Sequence, residues 1–235
     1  KADRNVAIGY QVLKENTTGS YNVAVGFGAL KCNTTGNCNV GVGLSALQSN
    51  TSGHSNIAIG MQALNSNTTG IRNVSIGYTS LRANTIGINN VAVGNAVMYN
   101  NTTGTNNVAI GAYALYQNTT GIDNVALGRS ALACNTTGEF NVAVGYTALC
   151  SNTIGCQNVA IGYESMALNT TGSFNTAVGR QALRNNQIGR YNVAMGYSAL
   201  RPNTTGEYNV AIGYQSMANN VTGMRNTAVG YQALL

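Results

Sequence analysis

Five cysteines carry the most reactive side chains in this sequence, and four of them recur at one spacing. Cys32 and Cys38 are six residues apart, and so are Cys150 and Cys156. Each pair brackets a short loop, Asn-Thr-Thr-Gly-Asn in the first case and Ser-Asn-Thr-Ile-Gly in the second. Cysteines paired in this way are typical of disulfides formed in an oxidising compartment. We therefore predict the bridges Cys32–Cys38 and Cys150–Cys156, and Cys134 is then either free or bridges two chains.

The sequence contains few side chains that could act in acid–base catalysis or bind a metal. His54 is the only histidine, and the six carboxylates are spread along the whole chain. They form no Ser/His/Asp or Cys/His set, no four ligands converge for zinc, and Asp is too rare for calcium-binding repeats. We expect no enzyme activity, no catalytic residue, no metal site and no cofactor.

Ten short loops contain the triplet Asn-X-Thr/Ser, the acceptor for N-glycosylation in a eukaryotic secretory pathway. The same residues suit a turn, because Asn tolerates a left-handed backbone and bonds its own main chain. Both interpretations stay open. The candidate acceptors are Asn16, Asn33, Asn50, Asn67, Asn101, Asn118, Asn135, Asn169, Asn203 and Asn220.

These loops belong to a strict repeat of seventeen residues. Asn-Val-Ala-Ile-Gly begins at Asn5, and the same motif or a close variant of it returns at Asn22, Asn39 and onward to Asn226 without an insertion. So short a period indicates a solenoid in which each copy is one coil. We predict an all-β fold, a single-domain parallel β-solenoid of about 14 coils. It covers residues 1–235 continuously, and we expect flanking parts of a longer parent chain.

Each coil is numbered here from its Asn at position 1. Branched apolar residues at positions 2 and 4 and Leu or Met at position 9 are predicted to fill the interior. Position 3 is almost always Ala, and we expect this small column to face outward against another chain. Gly at positions 5 and 15 predicts corners, and Asn at positions 1 and 12 predicts amide ladders. The segment between the corners is either a second strand or one short helical turn.

Aromatic residues form two partial columns, at positions 6 and 17. Tyr146, Tyr163, Tyr197 and Tyr214 stand at position 6 and are candidates for a ladder that stacks sugars. The alternative is that each ring simply packs on its neighbour in the next coil.

The net charge of +6 arises from twelve basic and six acidic residues at scattered repeat positions. A nucleic-acid surface needs clustered Lys and Arg, so we expect no nucleic-acid partner. No apolar stretch approaches the length of a transmembrane helix, and we expect no membrane insertion.

The motif Asn-Val-Ala-Ile-Gly…Ala-Leu…Asn-Thr-Thr-Gly resembles repeats of phage tail-fibre-like proteins and, more distantly, the head repeats of trimeric autotransporter adhesins. The resemblance covers the whole chain, with a coil of seventeen rather than about fourteen residues. It implies parallel β-rolls, three chains around one axis, and attachment to host surfaces.

These observations favour a structural fibre or shaft segment on a cell or virion surface. It is expected to self-associate into a trimer or an end-to-end filament. The alternative is an adhesin module that reads cell-surface glycans along the Tyr and Asn columns. A lesser alternative is an ice-binding solenoid with regular Thr arrays.

Overall fold

The computed structural model describes residues 2–235 and confirms an all-β parallel β-solenoid. The chain divides into two compact units, the first extending to Thr120 and the second covering Gly121–Leu235. Each unit contains seven three-residue strands, and each strand begins seventeen residues after the previous one.

The first unit contains β1 (Val6–Ile8), β2 (Val23–Val25), β3 (Val40–Val42), β4 (Ile57–Ile59), β5 (Val74–Ile76), β6 (Val91–Val93) and β7 (Val108–Ile110). The second contains β8 (Val125–Leu127), β9 (Val142–Val144), β10 (Val159–Ile161), β11 (Thr176–Val178), β12 (Val193–Met195), β13 (Val210–Ile212) and β14 (Thr227–Val229).

Within each unit, consecutive strands pair in parallel with a register of one coil. Val159 in β10, for example, lies between Val142 of β9 and Thr176 of β11. The amide of Val142 donates to Asn158 at 2.8 Å, and the amide of Gly162 donates back to Val144 at 2.8 Å. Each strand is thus tied to the coil before it and the coil after it.

The two faces of the strand are the reverse of the prediction. From β2 onward the small column at position 3 is buried, with Ala143 and Ala160 fully inaccessible, whereas positions 2 and 4 are half-buried or exposed. The interior is narrow at this point. A Cβ added to Gly41, which replaces Ala in β3, would lie 3.4 Å from the Leu30 side chain. Position 3 is small because it packs under a leucine of its own chain, and the predicted contact with another chain at this column is wrong.

The rest of the core follows the prediction more closely. The Leu or Met at position 9 is fully buried in every coil from Leu30 to Met217. Ala, Val or Ser at position 8 fills the space beside it. Burial of such aliphatic columns supplies about 1.5–3 kcal/mol per large side chain.

The segment between the corners is neither a strand nor a helix, and residues 2–235 contain no helix. It is a run of turns in which positions 7 and 9 have positive φ, 50° at Thr147 and 52° at Leu149. Thr147 donates its amide to Arg129 in the preceding coil, and Leu149 donates to Ser165 in the following coil. Hydrogen bonds to both neighbours offset the cost of about 1–2 kcal/mol that a left-handed residue incurs.

Both predicted glycine corners require glycine, for different reasons. Gly145 at position 5 has φ of 134°. Gly155 at position 15 has no positive φ, but an added Cβ would stand 2.3 Å from the carbonyl oxygen of Gly172 and 2.4 Å from Oδ1 of Asn152. At the second corner, the backbone of the neighbouring coil lies too close to leave room for any side chain.

Candidate functional site

The outer side of each sheet is a continuous aliphatic surface, which we call the outer aliphatic face and define as the side chains at positions 2 and 4. These positions hold Val, Ile, Leu or Met in all strands except at Thr176 and Thr227. Ile59, Ile110 and Ile161 are 40%, 45% and 40% exposed. No charged residue interrupts the two columns.

The area of this face can be estimated from the spacing of its strands. Seven strands spaced by about 4.8 Å, with two columns of side chains roughly 14 Å across, give about 450 Å² in each unit. That is within the range of the largest apolar patches on single proteins, which often mark interaction sites. A solvated sheet face normally carries polar residues at these positions.

A ladder of aromatic rings and guanidinium groups runs along position 6 of the second unit. It comprises Arg129, Tyr146, Tyr163, Arg180, Tyr197, Tyr214 and Tyr231. We call it the aromatic–arginine ladder. It follows the strand and the corner glycine in each coil, so it borders the outer aliphatic face.

The rings of this ladder lie nearly parallel. Tyr146 and Tyr163 have centroids 5.4 Å apart with an interplanar angle of 13°, and Tyr197 and Tyr214 are 5.2 Å apart at 10°. The guanidinium carbon of Arg180 lies 5.4 Å from the Tyr163 centroid and 5.7 Å from that of Tyr197. Arg180 thus fills the one place between two tyrosine pairs where a ring is missing.

This stacking bears on sugar binding by Tyr146, Tyr163, Tyr197 and Tyr214. Sugars stack on ring faces, and here the faces are turned toward neighbouring coils. Ring edges and hydroxyl groups remain for a ligand. Glycan binding therefore stays a prediction, and it would have to use those edges.

A shorter stack occupies position 17 of the same unit, before the strand. Phe174, Tyr191 and Tyr208 have successive centroid distances of 4.9 Å, both at an interplanar angle of 8°. All three residues have positive φ, 61°, 56° and 58°. The backbone turn at this position places the rings one above another.

The predicted amide ladders are present at positions 1 and 12. At position 12, Asn152 Nδ2 donates to Asn135 Oδ1 and to the Gly155 carbonyl, both at 2.9 Å. At position 1, the Asn158 amide donates to Asn141 Oδ1 at 3.0 Å, and its Nδ2 donates to Gly172 at 2.9 Å. Each of these two side-chain amides thus bonds the coil before it and a glycine carbonyl of its own coil, whereas the buried Oδ1 of Asn203 has no hydrogen-bond partner.

Most of the ten candidate glycosylation sites are part of this ladder. Eight are fully buried: Asn33, Asn50, Asn67, Asn101, Asn118, Asn135, Asn169 and Asn203. Asn16 and Asn220 are half-buried. Nδ2 is the atom that a glycan would occupy, and in Asn67 it donates at 2.8 Å to Asn50 and at 3.0 Å to Gly70. In the folded coil, the side chains at these eight positions are buried in the ladder, and glycosylation there stays a prediction.

The Thr array considered for ice binding is also engaged within the solenoid. At position 13, the Thr68 hydroxyl donates to the carbonyl of Thr85, and the Thr153 hydroxyl donates to that of Thr170, both at 3.1 Å. These hydroxyl protons point from one coil to the next and not toward the solvent. Ice binding stays a prediction without support from this column.

All five cysteines are free thiols, and neither predicted bridge is formed. The Cys150 thiol donates to the carbonyl of Ala167 in the following coil at 3.3 Å. The Cys156 sulfur accepts from the amide of Glu139 in the preceding coil at 3.4 Å. The two thiols are thus directed to opposite neighbours across the corner. Cys32 and Cys38 are likewise unpaired with each other.

One ion pair joins two coils of the second unit. Arg184 Nε lies 2.7 Å from Glu164 Oε2, and Gln181 donates to the same oxygen at 2.8 Å. Hydrogen bonds from Gln181 and Arg184 lower the pKa of the Glu164 carboxyl below its usual value of 4.5. This is a surface contact that fastens one coil to the next.

A shallow cavity of about 330 Å³ opens beside Pro202, lined by Asn185, Ser198, Arg201, Gln215 and Ala218 as well. Its lining contains no carboxylate, imidazole or thiol. Within residues 2–235, no group of three or more His, Cys, Asp or Glu could hold a metal ion. The same part of the chain contains no helix long and apolar enough to span a bilayer.

Comparison with known protein families, curated proteins and solved structures finds no match to this chain. The site is therefore defined by geometry alone. Its central element, the outer aliphatic face, was missed from sequence although a signal was present. Asn at position 1 is constant and forms a buried ladder, and positions 1 and 3 of a strand share a face.

Proposed function

We propose that this chain is a structural shaft segment that self-associates laterally through its outer aliphatic face. The observation that carries the proposal is the exposure of two largely aliphatic columns without a charged residue on the outside of the sheets. Covering an apolar surface is favourable, because each Å² of apolar area removed from water lowers the free energy by about 25 cal/mol.

A second copy of the chain fits this face better than an unrelated partner. The columns repeat every seventeen residues with aliphatic side chains at nearly every place, so identical faces can pack with their strands in register. They carry no charge that would orient a charged partner. The resemblance to tail-fibre-like repeats favours three copies around one axis, and we propose the homotrimer, on a cell or virion surface, as the assembled form.

Lateral association explains why the outer face stays apolar in strand after strand. A parallel sheet is ordinarily covered on both sides, and within one chain only the inner side is covered here. Trimer formation would supply the second layer over each sheet, as a structural segment that supports surface attachment requires.

Light scattering coupled to size-exclusion chromatography tests the proposal. The wild-type chain is expected to have three times its monomer mass at micromolar concentration. The double variant Val142→Lys, Val159→Lys places two charges on the outer aliphatic face of β9 and β10 and is expected to be monomeric. A monomeric wild type would contradict the proposal, and a longer filament would contradict the trimer.

A matched control carries the same charges elsewhere. Thr137 and Ile154 occupy position 14 on two consecutive coils, and both are exposed at the corner. Thr137→Lys with Ile154→Lys is expected to keep the wild-type mass. Far-ultraviolet circular dichroism confirms that both variants fold, so a change in mass reports association. An unchanged mass in the Val142/Val159 variant would also reject the proposed interface.

A further inference from the structure

Positions 10 and 11 form two adjoining surface columns on the turn segment. Their side chains touch within a coil, as Arg184 Nη1 donates to Asn185 Oδ1 at 3.2 Å. They also touch along a column, as Asn100 Nδ2 donates to Gln117 Oε1 of the next coil at 3.3 Å. Reactive side chains placed in these two columns therefore come within reach of each other.

Two cysteines occupy adjacent places in these columns on consecutive coils. Cys134 stands at position 11 of the coil that begins at Asn124, and Cys150 stands at position 10 of the next. The amide of Cys134 donates to the carbonyl of Cys150 at 3.0 Å. A coil spacing of about 4.8 Å combined with one Cα step of about 3.8 Å puts their Cα atoms about 6 Å apart. Disulfides span about 4.4–6.8 Å between Cα atoms.

The Cys150 sulfur lies on the side of the position-11 column. It is 3.9 Å from Oγ of Ser151, and Ser151 is the residue directly one coil after Cys134. No other two of the five cysteines occupy adjoining positions on consecutive coils.

We propose that Cys134 and Cys150 are a thiol pair that forms a disulfide bridge between two consecutive coils under oxidising conditions. The bridge differs from both within-coil pairings predicted from sequence. Cys156 is excluded from it because its sulfur is held on the far side of the corner, where it donates to the Ile154 carbonyl at 3.3 Å.

The reduced state indicates the order of the chemical steps. Cys134 is exposed, whereas Cys150 is half-buried and bonded to the Ala167 carbonyl. Burial raises the pKa of the Cys150 thiol, and the nearby Cys134 contributes in the same direction. Cys134 is therefore the first thiol that a dissolved oxidant meets.

With oxidised glutathione as the oxidant, the reaction balances in two exchanges. The Cys134 thiolate attacks one sulfur of the oxidant, forms a mixed disulfide and releases one glutathione thiolate. The Cys150 thiolate then leaves the Ala167 carbonyl by rotation about its Cα–Cβ bond and attacks the Cys134 sulfur. The second glutathione thiolate departs. Two cysteine thiols are oxidised and one glutathione disulfide is reduced.

The bridge would join two consecutive coils near the first strands of the second unit. It closes the chain between residues 134 and 150, so the unfolded state loses conformational freedom. The coil beginning at Asn124 and the coil beginning at Asn141 could then not separate without reduction. If the chain were pulled along the stack of coils, unfolding could not separate these two coils until the disulfide was reduced.

Mass spectrometry of the full chain tests the proposal in a Cys32→Ser, Cys38→Ser background, which removes the other within-coil pair. After treatment with oxidised glutathione and alkylation of the remaining thiols, one alkylatable thiol is expected, and the chain should lose about 2 Da before alkylation. Cleavage after Glu139 separates the two cysteines. The bridge should join the peptide with Cys134 to the peptide with Cys150.

Three single variants in the same background assign the bridge. Cys156→Ser should still form it, whereas Cys134→Ser and Cys150→Ala should not. These replacements already occur at the same repeat positions, Ser at 16 in Ser173, Ser at 11 in Ser151, and Ala at 10 in Ala167, so the fold is expected to survive. Dependence on Cys156, three thiols that stay alkylatable, a lasting glutathione adduct on Cys134, or bridges only between chains would each overturn the proposal.

Discussion

The two units differ most at position 6, although they are built from the same coil. In the second unit, seven consecutive coils carry the unbroken aromatic–arginine ladder. In the first unit, Tyr10 stacks on Phe27 at 5.2 Å, and the column then continues with Leu44, Met61, Tyr78, Asn95 and Ala112. The rings of the first unit gather elsewhere, with Tyr99 and Tyr116 stacked at position 10.

The interior shows no such difference. The Asn ladder at position 12 has donor–acceptor distances of 2.8 Å at Asn67 in the first unit and 2.9 Å at Asn152 in the second. Narrow space and buried polar groups allow only a few similar residue types at each inner position, whereas the outer columns tolerate any side chain that packs on its neighbour. Specific function is therefore to be sought on the surface, and stability in the interior.

The largest expected effect should be equal in the two units. Asn67→Ala and Asn152→Ala each remove the donor to the preceding Asn and the acceptor for the following one. Leaving such buried groups unpaired is expected to lower the free energy of unfolding by about 2–4 kcal/mol. Urea denaturation followed by circular dichroism measures it.

The exposed corner residues Thr69→Ala and Thr137→Ala serve as controls, with expected changes within about 0.5 kcal/mol. If the two Asn variants differed from each other by as much as either differs from its control, the interior would not be uniform. The view that the two units share the same interior and differ only on their surfaces would then be wrong.

A smaller effect should appear in the second unit alone. Arg180→Ala removes the cation between Tyr163 and Tyr197 and is expected to cost about 1–2 kcal/mol, since an exposed cation–π contact contributes about 0.5–1 kcal/mol. Arg72 in the first unit is exposed at position 17, and Arg72→Ala should change stability by less than about 0.5 kcal/mol.

Arg180→Tyr sharpens the same comparison. Tyrosine occupies this position in Tyr146, Tyr163 and Tyr197, so the replacement should continue the stack and keep most of the stability that Arg180→Ala loses. Equal losses for both Arg180 variants would mean that stacking along position 6 contributes nothing measurable.

The smallest expected change in stability depends on pH, and it should distinguish two contacts that occupy equivalent positions in the two units. In the second unit Arg184 pairs with the Glu164 carboxylate, and in the first unit Arg82 Nε donates to the neutral Gln62 at 3.3 Å across the same interval of twenty residues. The lowered pKa of Glu164 means that its contribution is complete above 4.5 and is lost as pH falls through the folded pKa. A surface pair of this kind contributes about 0.2–1 kcal/mol.

Glu164→Gln should therefore destabilise the chain slightly at neutral pH, and the difference from wild type should vanish in acid. Gln62→Glu should introduce the same pH dependence into the first unit. Thermal unfolding from about pH 7 down to about pH 2 measures both, because the series must pass the lowered folded pKa of Glu164 as well as the usual carboxyl pKa. A Glu164→Gln difference that persisted unchanged in acid would rule out the carboxylate as its source.

The sequence predicts the coil but not the orientation of its strand. Asn at positions 1 and 12, Gly at positions 5 and 15, and Leu or Met at position 9 have one structural explanation each, and the structure agrees. The phase of the pleat was wrong because the small Ala column was attributed to contact with a second chain, although Leu30 of the same chain already accounts for it. One shift of phase exchanges the two faces of every strand.

The turn segment could not be predicted from residue types. Leu149 and Phe140 belong to types that avoid positive φ, yet they have φ values of 52° and 57°. Hydrogen bonds to the adjacent coils decide the backbone there, and no local pattern reveals them. The same cause hides the approach of Cys134 to Cys150, since a spacing of sixteen residues is informative only when the coil length and path are known.

Hydrogen-bonded partners in adjacent coils are about seventeen residues apart along the chain, and this interval also determines how the chain would fold. Nearly every tertiary contact closes a loop of about the same short length, with a closure cost of about 2.5 kcal/mol from (3/2)RT ln 17. Divided by the 235 residues of the chain, that interval gives a relative contact order of about 0.07, because 17/235 is about 0.07. This value belongs to fast-folding helical bundles rather than to β-sandwiches. Once a first pair of coils has formed, later coils can add one at a time, so lengthening such a chain should slow its folding very little.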